Sequence, residues 1–91
     1  MPTVRLLIKG KVQGVFYRAT AKDMAKKLGI TGWIRNTEEG HVEAMANGSV
    51  EQIEQFVAWC RRGPSKAVVG EVLVEPSEDQ DFEEFVVFRG K

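Results

Sequence analysis

The chain has 91 residues, with 13 basic and 13 acidic side chains that cancel, so it lacks the excess of Lys and Arg on which generic nucleic-acid or membrane-surface binding rests. That length suits a single domain, 1–91, holding one sheet and a couple of helices, and is too short for two cores. The one cysteine excludes an internal disulfide, no apolar run approaches a membrane span, and the N-terminus lacks a charged-then-apolar leader, so the expected location is cytoplasmic.

Val4, Leu6 and Ile8 alternate through a run rich in strand formers and predict a first strand at about 3–12. The apolar spacing of Ala21, Met24, Ala25 and Leu28 predicts a helix at about 20–28, stopped by Gly29 in a left-handed cap. Two strands follow at about 30–36 and 41–47, joined by Thr37 to Gly40 as a hairpin. After the Asn47-Gly48 turn, Ser49 and Gln52 have the spacing of a capping box, and a second helix places Val50, Ile53, Phe56, Val57 and Cys60 on its buried stripe before Gly63-Pro64 ends it. A fourth strand at about 67–75 carries Val68, Val72 and Val74, Pro76 to Asp81 reads as a surface loop, and Phe85 to Phe88 supplies a short last strand. The order β-α-β-β-α-β, plus that short strand, is the split βαβ arrangement of an α+β, ferredoxin-like sandwich. Right-handed crossovers put both helices on one face of an antiparallel sheet of four to five strands.

The segment Gly10-Lys11-Val12-Gln13-Gly14-Val15-Phe16-Tyr17-Arg18 lies between the first strand and the first helix. Successive backbone N–H groups in such a turn converge on one point, and the helix N-terminus adds partial positive charge, so the turn suits phosphate or sulfate. Arg18 adds a planar fork of donors matched to two phosphate oxygens. Taken alone, the same stretch also reads as an ordinary strand-to-helix turn with a solvated arginine. A nucleotide is not indicated, because neither Gly-Lys-Ser/Thr nor Gly-x-Gly-x-x-Gly is present. Asn36 ends the first hairpin strand; its carboxamide both accepts and donates hydrogen bonds yet takes no proton at neutral pH, so it can orient a nucleophile but not act as base. Its plain alternative is a turn residue.

Two motifs decide between these readings. Gly10, Val12, Gln13, Gly14, Val15, Tyr17 and Arg18 match Gly-x-Val-Gln-Gly-Val-x-Phe/Tyr-Arg, while Gly32, Trp33, Asn36, Gly40, Val42 and Gly48 match Gly-aromatic-Val-x-Asn-x-x-x-Gly-x-Val with a later glycine. Together they resemble the acylphosphatase family; Ile34, where a smaller valine is usual, is a packing change. The resemblance implies the same ferredoxin-like fold, with Arg18 and Asn36 as the catalytic pair. It also implies that phosphate is held by Arg18 and the loop amides of Gln13, Gly14, Val15, Phe16, Tyr17 and Arg18, and that Asn36 positions the attacking water. The implied reaction is hydrolysis of a small acyl phosphate to a carboxylate and inorganic phosphate, by a monomer without metal, cofactor, nucleic-acid partner or membrane. Because a carboxylate leaves readily, positioning and charge stabilisation suffice. Two alternatives are a non-catalytic anion- or RNA-binding ferredoxin-like module and an acylphosphatase-like module of a carbamoyl-transfer or maturation system; the end at Lys91 and the lack of zinc-finger cysteines weigh against the latter.

Other chemistry-bearing residues have simpler roles. His41 stands without a second ligand at metal spacing and reads as a surface histidine. Cys60 reads as a small buried hydrophobe. Trp33, Trp59, Phe56, Phe85 and Phe88 read as core or covering residues, since the aromatic-rich Lys/Arg-Gly-Phe motif of RNA-binding modules is missing. Lys9, Lys11 and Arg35 flank the loop and read as a solvated strand edge.

Overall fold

The computed structural model describes residues 1–89; Gly90 and Lys91, included in the expected domain, lie outside the described residues. The elements are β1 (Thr3–Lys11), α1 (Tyr17–Leu28), β2 (Thr31–Asn36), β3 (Val42–Asn47), α2 (Val50–Arg62), β4 (Val68–Ser77) and β5 (Phe85–Val87). They build one sheet in the order β4-β1-β3-β2-β5. The first four strands pair antiparallel, whereas β5 lies parallel to β2, so the fifth strand makes the sheet mixed. This is the ferredoxin-like α+β architecture that the element order predicts.

The core forms between the helices and the sheet, where Leu6, Ile8, Ile34, Ala44 and Ala46 meet Ala21, Ala25 and Phe56. Helix α1 packs on β2 and β5, and α2 on β4 and β1. The expected cap glycine, Gly29, has φ 77°, and Ser49 and Gln52 form the reciprocal capping box.

The structure corrects several details. Helix α1 begins at Tyr17, three residues before the expected start at about 20; Tyr17 is buried on the same stripe as Ala21 and Ala25, at i, i+4 and i+8. On α2, Val50 is 61% exposed while Trp59 is buried. Val50 is the first helical residue, and stripe counting does not tell where the sheet beneath a helix begins. On β4, Val72 is buried but Val68 is 64% exposed. The pairing of β1 with β4 shifts at Lys9/Gly10, so that Gly70 is the extra residue and the faces switch across it. Val69 rather than Val68 therefore packs against the core. Strand β4 also runs through Pro76 and Ser77, and the Gln80 backbone in the following segment donates to Thr3 Oγ1 and accepts from Asn47 Nδ2, so the expected surface loop is partly tied to the sheet.

The register brings the two motifs together. Ile8 pairs with Val42 on one side of β3 and Asn36 pairs with Val42 on the other. The departing end of β1 therefore lies one strand away from the hairpin end of β2. No helix among the described residues is long and apolar enough to cross a membrane.

Candidate active site

Opposite the bulge at Gly70, β1 requires glycine at position 10. Its φ is 131°, and a Cβ there would stand 2.2 Å from the Val68 carbonyl oxygen. Val12 and Val15 turn into the core, which anchors the loop at two points and leaves Gly14 and Phe16 on the outside. Gly14 has φ 74° with open space around it, so its requirement is conformational rather than steric. Phe16 also lies in the left-handed region, at φ 62°, the one non-glycine residue to do so among those described. Such a backbone costs on the order of 1–2 kcal/mol for an L-residue. The turn is held by Thr20, whose N–H and Oγ1 both donate to the Phe16 carbonyl oxygen, at 3.1 and 2.8 Å.

Tyr17 fixes the start of α1 from the inside. Its hydroxyl donates to the Cys60 carbonyl oxygen on α2 at 2.7 Å, and its ring lies 5.3 Å from that of Trp59. Burial raises the Tyr17 hydroxyl pKa well above its ordinary value. Burial likewise pushes the Cys60 thiol up to about 12, so at neutral pH it remains protonated. With Tyr17 pinned, Arg18 emerges one residue later on the outer side of the helix, and its Nη1 donates to the Phe88 carbonyl oxygen just beyond β5, at 2.7 Å.

The hairpin half is built differently. Asn36 is the last residue of β2, and the turn closes through Thr37 N–H to the His41 carbonyl oxygen, Gly40 N–H to the Thr37 carbonyl oxygen, and His41 N–H to Thr37 Oγ1. Gln13 joins the halves: its Nε2 donates to the carbonyl oxygens of Thr37 at 3.0 Å and His41 at 2.8 Å. The Gln13 carboxamide is thus committed to the hairpin, which leaves its backbone amide, the group the resemblance implies for phosphate, to the loop. No local sequence signal marks this, since the partners are 24 and 28 residues away.

Arg18 and Asn36 line one cleft of about 960 Å³ together with Gly14, Phe16 and Tyr17. Its far walls come from Lys22, Asp23 and Lys26 on α1 and from the Glu84–Val87 stretch with Arg89, residues the motifs do not mark. Lys9, Lys11 and Arg35 do not line it. Arg35 follows the two-residue alternation of its strand to the opposite face of the sheet from the helices, where it and Arg5 clasp Glu43. Burial alone would raise the Glu43 carboxyl pKa, but hydrogen bonds from Arg5 and Arg35 outweigh it and hold the carboxyl below its ordinary value. His41, expected at the surface, is half-buried, with Nδ1 unpartnered among the described residues. Trp33 stacks on Phe88, while Trp59, Phe56 and Phe85 are buried, in keeping with covering and core roles.

A family model described as Acylphosphatase matches residues 4–87. An acylphosphatase of Methylococcus capsulatus is 47% identical over 90 residues, covering 98% of each chain. Among solved structures, an acylphosphatase from Coxiella burnetii superposes with a TM-score of 0.92 at 34% identity, covering 96% of this chain and 92% of its own. One from Bacillus subtilis gives 0.94 at 28% identity, covering 98% and 100%. A motif-bearing loop and hairpin brought to one cleft, and likeness in sequence and fold along almost the whole chain, lead to the same place: the chain belongs to the acylphosphatase family of enzymes, hydrolases of acyl phosphates.

Proposed function

We propose that acyl-phosphate hydrolysis by this chain takes place between the Gln13–Arg18 loop and Asn36. The observation that carries this is that Arg18 and Asn36, 18 residues apart in sequence, line the same cleft beside the loop backbone. The loop amides and Arg18 hold the phosphoryl oxygens and offset the charge that gathers on them in the transition state. Asn36 orients a water molecule for attack on phosphorus. As the water oxygen bonds to phosphorus, the bond from phosphorus to the acyl oxygen breaks, the carboxylate departs with that electron pair, and a water proton passes to a phosphoryl oxygen of the substrate. A carboxylate needs no protonation to leave, so neither a general acid nor a metal is called for. In this reading residues 1–91 act as one domain, a cytoplasmic monomer whose partners are a small acyl phosphate and the inorganic phosphate released.

The test is turnover of benzoyl phosphate with and without a chelator, alongside inhibition by inorganic phosphate. Turnover unchanged by chelation and competitive inhibition by phosphate are expected. Phosphate binding without turnover would reduce the site to an anion-binding module, and activity lost on chelation would overturn the metal-free step.

A further inference from the structure

The proposed reaction occupies only the cradle end of a cleft far larger than a phosphate. Beyond Arg18, the α1 wall of that cleft carries Lys22 and Lys26. The three cations stand at i, i+4 and i+8, so they form one line along the helix, rising about 6 Å per step. Lys22 is half-buried, so part of its stem is held against the protein, whereas Lys26 is exposed. Arg89 adds a cation to the same cleft, and Asp23 and Glu84 are its two acids. The cleft's cations are not simply those of a basic helix: Lys27, next to Lys26, is exposed and does not line it.

We infer that Lys22, supported by Lys26, selects acyl phosphates whose acyl group ends in a second anion, a carboxylate or a phosphate ester. The inference rests on the hydrolysis proposed above. A phosphate on Arg18 directs the rest of the substrate along the cleft, and a four-carbon acyl group, extended at about 3.3–3.6 Å per three bonds, sets its far end about 6 Å from phosphorus. That is one helical step, the offset of Lys22 from Arg18. A terminal anion there faces an ammonium group; a terminal methyl gains nothing from it. Because the site is open to water and Asp23 lies beside it, the selection is moderate and weakens with salt.

Succinyl phosphate and butyryl phosphate have the same carbon chain and differ only in the terminal group, so the ratio of their kcat/KM values, corrected for uncatalysed hydrolysis, reads the selection directly. The unaltered chain should prefer succinyl phosphate, and Lys22→Met, which keeps the stem and removes the charge, should lower the ratio about three- to tenfold while butyryl phosphate turnover holds. Lys22→Glu should lower it further, and Lys27→Met should leave it unchanged. Equal losses on both substrates, an unchanged ratio in Lys22→Met, or the same loss in Lys27→Met would overturn the inference. Failure of the unaltered chain on both substrates would instead overturn the hydrolase reading, and this inference with it.

Discussion

The loop that carries Arg18 holds its shape through left-handed backbone at Gly14 and Phe16, whereas the hairpin that carries Asn36 holds its shape through strand register, with Asn36 opposite Val42. The first is a local conformation stabilised against strain by Thr20, Tyr17 and the buried Val12 and Val15; the second follows from a ladder running the length of β2 and β3. The phosphate cradle proposed for the loop needs several N–H groups aimed at one point, which regular structure does not provide, while the role proposed for Asn36 needs one side chain at a set height and so only a strand end. Gln13 ties the two halves together, because its carboxamide belongs to the loop and its acceptors to the turn.

The widest separation between the halves is expected from Arg18→Ala. Removing the charged member of the cradle should lower kcat/KM about 10³-fold or more and abolish inhibition by phosphate, since loss of even one neutral transition-state donor costs about 10²–10³. Arg18→Lys should recover little, because a point charge does not reproduce the fork. Near-normal turnover and phosphate inhibition in a folded Arg18→Ala protein would end the cradle assignment. Asn36→Ala should lower kcat by about 10²–10³ while phosphate binding, measured by titration calorimetry, stays within a few-fold, as expected for an interaction made mainly in the transition state. Parallel loss of both would make Asn36 part of the cradle instead.

Smaller effects test the link and the scaffold. Gln13→Ala leaves two turn carbonyls without their side-chain donor and should cost about 1–2 kcal/mol of stability, with kcat falling about tenfold and phosphate affinity less. If affinity falls more than kcat, Gln13 serves the cradle rather than the hairpin. On the face of the sheet away from the cleft, Glu43 ties β1 to β2 across β3 through Arg5 and Arg35. Because the folded-state pKa of Glu43 is lowered, its contribution is present above the ordinary value of 4.5 and is lost as pH falls through the folded-state value. Glu43→Gln should therefore flatten the acid limb of a melting-temperature profile and cost about 1–2 kcal/mol at neutral pH. An unchanged acid limb would show that the clasp adds nothing to holding the hairpin strands in register. The smallest change is expected from Phe16→Gly: its exposed ring contributes little burial, so relief of the left-handed backbone should raise stability by about 1 kcal/mol or less, with turnover within a few-fold. Destabilisation would mean that the Phe16 ring is part of the cradle's support.

The elements legible in the sequence were those specified by neighbours. Ser49 and Gln52 are three residues apart and cap α2 whatever else the chain does, and Gly29 adopts its cap conformation because no Cβ opposes it. Arg18 and Asn36 stand out in the sequence because each sits in a dense local pattern of glycines and apolar residues, and both line one cleft. Burial was harder to read. Periodicity grouped Val50 with the buried face of α2 and Val68 with Val72, but it carries no information on where the underlying sheet begins or on the extra residue at Gly70 that switches the face of β4.

The sequence by itself determined the order of helices and strands, their caps and turns, and the two motifs, because these depend on backbone preferences and side-chain spacing within a few residues. Only the tertiary structure decided that Gln13 reaches across to Thr37 and His41, that β5 runs parallel to β2 and brings Phe88 to Arg18, and that Lys22 and Lys26 share a cleft with Asn36. Those residues stand 10 to 70 positions apart, and which of them come together depends on how strands pair and helices pack, a choice made by burial of the whole core rather than by any short stretch of chain.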